Sequence, residues 1–258
     1  MVKIKKWVGP VYLEPIQHKY HHRETGKIYK SVTTTLASIE PHFDAEGVSL
    51  AITRQPDNVK QERYIGMSQQ QILDYWQLLN DEANVYGSKV HDIVERYLLA
   101  NKWYFPEDNE EGIFEQKVID GYNALNIEEG DAMWPERILF SEQYELAGTS
   151  DLIIDINDVF FDVADYKTNR VFNFYNPYGY ETLLKPFDHL QNCQWSIYTL
   201  QLSIYALLYE METGKKCRQI WIGYWDKEIE KFTRIQIMYL KKEAKQLLDL
   251  HKYNTMKA

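Results

Sequence analysis

Gly148-Thr149-Ser150-Asp151-Leu152-Ile153-Ile154-Asp155-Ile156, then Asn157-Asp158, then Val159-Phe160-Phe161-Asp162-Val163-Ala164-Asp165-Tyr166-Lys167-Thr168 is the stretch that decides how this chain is built. Two short apolar runs rich in β-branched and aromatic residues flank an Asn-Asp turn, which reads as a β-hairpin. The runs are nearly continuous in hydrophobicity, as in strands covered on both faces, so helices are expected on either side of the sheet. Side chains alternate along a strand, which puts Asp165 and Lys167 on one face and Tyr166 on the other. The hairpin brings Asp151 towards that pair. Two carboxylates at a strand end supply the hard oxygen ligands that Mg²⁺ prefers, and the Tyr166 carbonyl offers another. Lys167 would orient or deprotonate an attacking water, or neutralise charge in the transition state. A charged hairpin edge, with lysine discouraging further strand pairing, is the plainer alternative.

Outward from the hairpin, strand signals begin near Arg137, with Ile138–Phe140 and Tyr144–Leu146 leading into it, and Asn126 to Pro135 reads as a loop. Helical spacing runs from Ser68, a candidate N-cap, to Leu99, and again from Gly112 to Leu125. Asn169 to Asp188, with Pro177, Gly179 and Pro186, reads as a long aromatic loop of the kind that frames substrates. A helix from about Leu190 to Glu212 stops near Gly214, a hairpin spans Ile220–Trp225 and Phe232–Tyr239, and Lys241 to Tyr253 closes as a helix. The first forty residues read as irregular structure with a hairpin, and Ser31 or Thr33 then caps a helix. The sum is an α/β protein with a central mixed sheet flanked by helices.

At 258 residues and 45% hydrophobic content, the chain can bury one large core. No apolar stretch follows the basic Met1–Lys6 segment and none approaches the length of a membrane span, so a cytoplasmic protein without membrane contact is expected. Cys193 and Cys217 are the only cysteines and form no CxxC pair, which excludes a zinc ribbon or a four-cysteine iron–sulfur cluster within one chain. The net charge of −9 argues against indiscriminate coating of nucleic acid. From Met1 to Leu36, however, seven Lys/Arg face two Glu, leaving 22 basic against 36 acidic residues elsewhere. A basic entry segment beside an acidic body could steer a polyanion to a metal-loaded site, or be no more than a solvated hairpin.

Gly87-Ser88-Lys89-Val90-His91 puts Gly87 and His91 on one helix face, where a neutral imidazole can bind metal. Glu95, one turn on, could orient His91, hold a second ion or be surface charge. Glu136 lies fifteen residues before Asp151, and Gln194, Tyr198, Gln201 and Tyr205 form a polar-aromatic stripe along a later helix.

Taken in order, these motifs resemble the RecB-like branch of the PD-(D/E)xK nuclease superfamily. GxxxH at Gly87–His91, an acidic residue at Glu136, Asp151, DxKT at Asp165–Thr168 and QxxxY at Gln201–Tyr205 carry the resemblance. Ser31-Val32-Thr33 is similar to a motif of the mitochondrial-genome-maintenance type of exonuclease. The resemblance implies a restriction-endonuclease-like core over residues 81–240, with a helical extension at 1–80 and a terminal helix at 241–258, all within a single nuclease domain. It implies Mg²⁺ or Mn²⁺ held by His91, Asp151, Asp165 and the Tyr166 carbonyl. Lys167, Asp165, Asp151, Glu136 and His91 would be catalytic, and Gln201, Tyr205, Thr168, Ser31 and Thr33 would touch nucleic acid. Some members carry an iron–sulfur cluster or a GxxxxGK(S/T) motor loop; this chain has the cysteines for neither a cluster nor the motif for a motor.

The leading expectation is therefore a stand-alone DNA exonuclease of the kind phages and mobile elements use for recombination, repair or genome processing. A single-strand-binding or recombination partner and a homo-oligomer are further expectations of the resemblance. A structure-specific endonuclease, or a non-catalytic nucleic-acid-binding recombination factor, is the competing reading.

Overall fold

A computed structural model describes residues 3–176 and 179–257. Pro177, singled out in the aromatic loop, lies outside them. The elements are β1 (Lys3–Ile4), β2 (Val11–Glu14), β3 (Lys19–His22), β4 (Ile28–Ser31), α1 (Val32–Ala37), α2 (Ala45–Arg54), α3 (Gln69–Leu99) and α4 (Glu110–Ala124). They continue with β5 (Ala132–Ser141), β6 (Leu146–Asp155), β7 (Phe160–Lys167), α5 (Gln194–Thr213), β8 (Lys216–Asp226), β9 (Lys231–Ile237) and α6 (Lys241–Thr255). The expected hairpin is β6–β7, antiparallel from Leu152↔Ala164 to Asp155↔Phe161.

Among the described residues the sheet has nine strands and is mixed. β5, β6 and β7 form an antiparallel meander, α5 crosses to β8 parallel to β7, and β9 returns antiparallel. The result is the expected α/β architecture, a mixed sheet between helical layers. α3 and α4 cover one face, where Val90, Ile93 and Val118 meet Leu152, Ile154, Ala164 and Trp221. α1, α5 and α6 cover the other, where Leu36, Leu200, Ile204 and Leu248 meet Ile153, Phe161 and Val163. Burying these apolar stripes contributes most of the folding free energy, at ~25 cal/mol per Å² removed from water. Among the described residues, no helix is long and apolar enough to cross a membrane.

Local chemistry explains the element ends. Ser68 caps α3 with a reciprocal capping box to Gln71, and Gly214 ends α5 in the left-handed conformation at φ 73°. Ser31, not Thr33, caps α1 by accepting from the Thr34 amide at 3.0 Å. Three expectations are corrected. The segment Asn126–Pro135 is not all loop, because Ala132–Pro135 already belongs to β5, where β1 pairs parallel with Ala132 and Met133. The N-terminal extension is not simply helical: β2–β3–β4 form an antiparallel meander that joins β6 through Lys30↔Leu146 and Ser31↔Ala147 before α1 and α2 begin. The second of those helices, α2, was not anticipated; Asp44 caps it through the Gly47 amide. α3 runs unbroken across residue 80, where the extension was expected to end.

One irregularity positions the site. β5 and β6 pair without offset from Ala132↔Asp155 to Ser141↔Leu146, except that Glu136, at φ 46°, makes no pair with Asp151 opposite. Side-chain alternation slips there on both strands. Trp134, Arg137 and Leu139 all face the α5 side, as do Ile153 and Leu146. A Cβ on Gly148 would meet Tyr205 of α5 at 2.7 Å, so that residue faces the same way. Strict alternation would put Gly148 and Ile153 on opposite faces.

Candidate active site

Asp151 sits at the slip, where β7 also leaves β6: the ladder between them ends at Leu152↔Ala164. The Asp151 carboxylate takes over from the missing backbone partner. Its Oδ2 accepts from the Tyr166 amide at 2.6 Å and lies 3.3 Å from His91 Nδ1. His91 comes from the middle of α3, and its ring meets the buried Tyr166 ring edge-on at 5.9 Å. Gly87, one turn earlier, lets α3 come down on the end of β7, since a Cβ there would stand 3.0 Å from Thr168 Oγ1.

His91, Glu136 and Asp151 each offer a ligand atom within 4.8 Å of the others. Glu136 reaches this group because its backbone adopts a left-handed conformation, which costs a non-glycine residue on the order of 1 kcal/mol. Asp165 and Lys167 form a separate ion pair beside it, with Asp165 buried. Lys167 Nζ also stands 4.6 Å over the Tyr198 ring. The chain therefore gathers Glu136 with His91 and Asp151, and leaves Asp165 adjoining the group as partner of the lysine. Tyr166 lends its N–H to Asp151 and lines the cavity.

The electrostatics are those of crowded acids. Burial and then the Asp151 carboxylate push Glu136 up to about 8. Burial and Asp151 likewise push Asp165 up to about 6, against the pull of Lys167. Asp151 is held below the usual range: burial opposes ionisation, but His91, Lys167 and the Tyr166 amide outweigh it. Burial disfavours the His91 cation, yet the Asp151 carboxylate carries its pKa up to about 9. Lys167 is raised as well, because Asp165 and Asp151 overcome its desolvation. It is a held cation and no proton acceptor at neutral pH. An imidazole and two carboxylates, each with a ligand atom within 4.8 Å of the others, fit a divalent metal, which would take the place of the proton on His91.

A cavity of about 560 Å³ opens on this cluster, lined by α3 on one side and by Lys167–Asn169 and Tyr198 on the other. Asn80, Asn84, Ser88 and Asn169 line it and were not singled out from sequence; the first three repeat at intervals of four, in step with Gly87, His91 and Glu95. That polar helical face was the available signal. Glu95 lines the cavity also, and burial followed by Asp92 raises its pKa. Thr168 lies at the rim.

Four residues expected to contact nucleic acid stand off the cavity. Tyr205 is 2% exposed and packs under Gly148, its OH accepting from Gln201 Nε2 at 3.1 Å. Burial in the α5 layer removes it from any ligand and makes it a support for the Asp151 strand. Gln201 is half-buried beside it. Ser31 Oγ is engaged with Thr33 and Thr34 hydroxyls at 2.9 and 2.7 Å, in the turn that enters α1. The N-terminal meander braces the site strand directly, through a 3.0 Å hydrogen bond between Tyr20 OH and Thr149 Oγ1.

No protein-family model matches the chain. No curated protein matches it either. Among solved structures, one from Eubacterium rectale named a "putative exonuclease" is similar over 91% of this chain and 81% of its own, at 14% identity and a TM-score of 0.45. The structure of SSO0001 is similar over 66% of this chain and 75% of its own, at 16% identity and a TM-score of 0.30. Similarity at this level carries no argument about activity, so the functional reading rests on the site.

Proposed function

We propose that the protein is a Mg²⁺- or Mn²⁺-dependent deoxyribonuclease of the PD-(D/E)xK type that hydrolyses phosphodiester bonds from DNA ends. The observation that supports it is the convergence of His91, Glu136 and Asp151 within 4.8 Å, beside the Asp165–Lys167 ion pair, at the floor of one cavity. In this reading those three residues would hold the ion, with the Asp165–Lys167 pair beside them. When bound, the metal supplies a Lewis acid for the phosphoryl oxygens and a more acidic water. Lys167, cationic and fixed by Asp165 and the Tyr198 ring, donates to a non-bridging oxygen and offsets the negative charge that develops there. Asp151 and the Tyr166 amide fix the distance between β6 and β7. Tyr205 and Tyr20 keep the Gly148–Asp151 segment in place from the two sides.

The test uses purified protein with Mn²⁺ and end-labelled linear and covalently closed circular DNA and RNA. Shortening of linear DNA alone, abolished by Asp165→Ala and Lys167→Ala, is the expected result. Cutting of circles would replace the exonuclease by an endonuclease. No cleavage of any substrate with Mn²⁺ or Mg²⁺ would reject the reading.

A further inference from the structure

We propose that the catalytic cavity continues as a groove for single-stranded nucleic acid that ends in a base-stacking subsite at Phe43 and Trp76. The proposal rests on the nuclease reading for the direction of the strand. Three cavities lie in a row. Tyr198 borders both the catalytic cavity and a second one of about 410 Å³. Glu181 borders both the second and a third of about 600 Å³. One wall comes from the N-terminal extension, through Glu40, Phe43 and α2; the other comes from the loop after β7 and the first turn of α5.

The chemistry changes along the row. The site end is ionic. The middle is lined by the side chains of Asn173, Asn192 and Gln194, with the carboxylates Glu40 and Glu181 and, among the described residues, no lysine or arginine. Asn192 Nδ2 donates to Glu181 at 2.7 Å and Gln194 Oε1 accepts from the Asn173 backbone amide at 2.8 Å, which fixes both carboxamides in the wall. Such a wall repels phosphates and offers its remaining polar atoms to base edges. A duplex, whose bases face inward and whose two backbones need neutralising, is a poor occupant. A single strand can turn its bases in and its phosphates out. The far end is aromatic. Phe43 is 63% exposed, although it packs 5.9 Å from Trp76, and Trp76 Nε1 donates to Tyr64 OH at 2.9 Å. Arg63 lies 4.9 Å over the Tyr64 ring. An exposed ring backed by an indole fixed in orientation is a preorganised face for stacking a planar base.

The test compares Phe43→Ala and Trp76→Phe with wild type on a labelled oligothymidylate and on the dinucleotide thymidylyl-thymidine, which is too short to occupy the row. Phe43→Ala should raise KM for the long strand by about 5- to 150-fold, the worth of one stacked base. It should leave dinucleotide cleavage unchanged, and Trp76→Phe, which loses the hydrogen bond to Tyr64 that fixes the indole, should raise KM for the long strand by a smaller factor than Phe43→Ala. An unchanged KM for the long strand would overturn the groove, as would equal losses on both substrates. Binding separates this idea from the nuclease reading. If wild type cuts nothing but Phe43→Ala still weakens oligothymidylate binding by the same factor, the subsite stands and the catalytic reading falls.

Discussion

Asp162 and Asp165 lie three residues apart on β7 and are equally buried, at 2% exposure, yet the chain treats them differently. Asp162 receives a two-pronged ion pair from Arg218, with Nε at 2.9 Å and a terminal nitrogen at 2.6 Å. Asp155, at the same end of the sheet, gathers Trp134, Tyr209 and Lys215. Asp165 has Lys167, and otherwise faces Asp151 with Glu136 beyond. One end of the sheet neutralises each buried acid; the other leaves acids facing one another. An uncompensated buried carboxylate is expensive, so the second arrangement is one that a cation completes.

The largest effects should separate the two aspartates. Asp165→Ala is expected to lower cleavage by at least ~100-fold, because it releases Lys167, the group placed to act on transition-state charge, and activity should fall far more than stability. Asp162→Ala should do the reverse, costing ~1–3 kcal/mol of stability by removing two charge-assisted hydrogen bonds from Arg218, which keeps Glu128, while sparing turnover of the folded fraction. Urea unfolding and initial rates read both. If Asp162→Ala lost activity without stability, the division would be wrong.

Metal should mark the same boundary. Mn²⁺ at a hundred times its Kd should stabilise wild type by ~2.7 kcal/mol. Asp151→Asn should abolish that shift in a thermal melt, and Asp155→Asn should keep it.

Acidity gives the third contrast. Glu136 at about 8 and Asp165 at about 6 both stand above the ordinary carboxylate value of ~4. Their contribution is complete below ~pH 4 and is lost as pH rises through 6 and 8. His91, at about 9, loses its contribution between ~6.5 and 9, in the same direction. The melting temperature of metal-free protein should therefore fall from pH 5 to pH 9, by several degrees. Glu136→Gln should remove the limb near pH 8, and a flat profile in wild type would contradict the crowding. The smallest effect is Ser31→Ala, expected to cost ~1 kcal/mol as a lost helix cap, with DNA affinity unchanged.

The β6–β7 hairpin was legible because two apolar runs around an Asn-Asp turn have few other solutions. α3, with its Ser68 cap, and α5, with its Gly214 stop, were legible for equally local reasons. His91, Asp151, Asp165 and Lys167 were found because spacing on one helix and one hairpin fixes their faces. What escaped depends on relations between strands. No pattern in Pro135-Glu136-Arg137 announces a left-handed backbone, so the entry of Glu136 into the His91–Asp151 group could not be derived locally. The resemblance turns Tyr205, in its polar-aromatic stripe, towards nucleic acid, but α5 is covered by α1 and α6 as well as by the sheet. The N-terminal meander was hidden by short strands whose pairing partner, β6, lies over a hundred residues away.

The conformation of Glu136 has a consequence for how this protein can change. A glycine there would adopt φ 46° without penalty, relieving on the order of 1 kcal/mol of backbone strain and a buried acid with it. The same gain is open at other left-handed positions such as Asn101 and Glu230, but at 136 it would come at the loss of a residue we propose for the metal. At this position stability and the proposed chemistry pull in opposite directions.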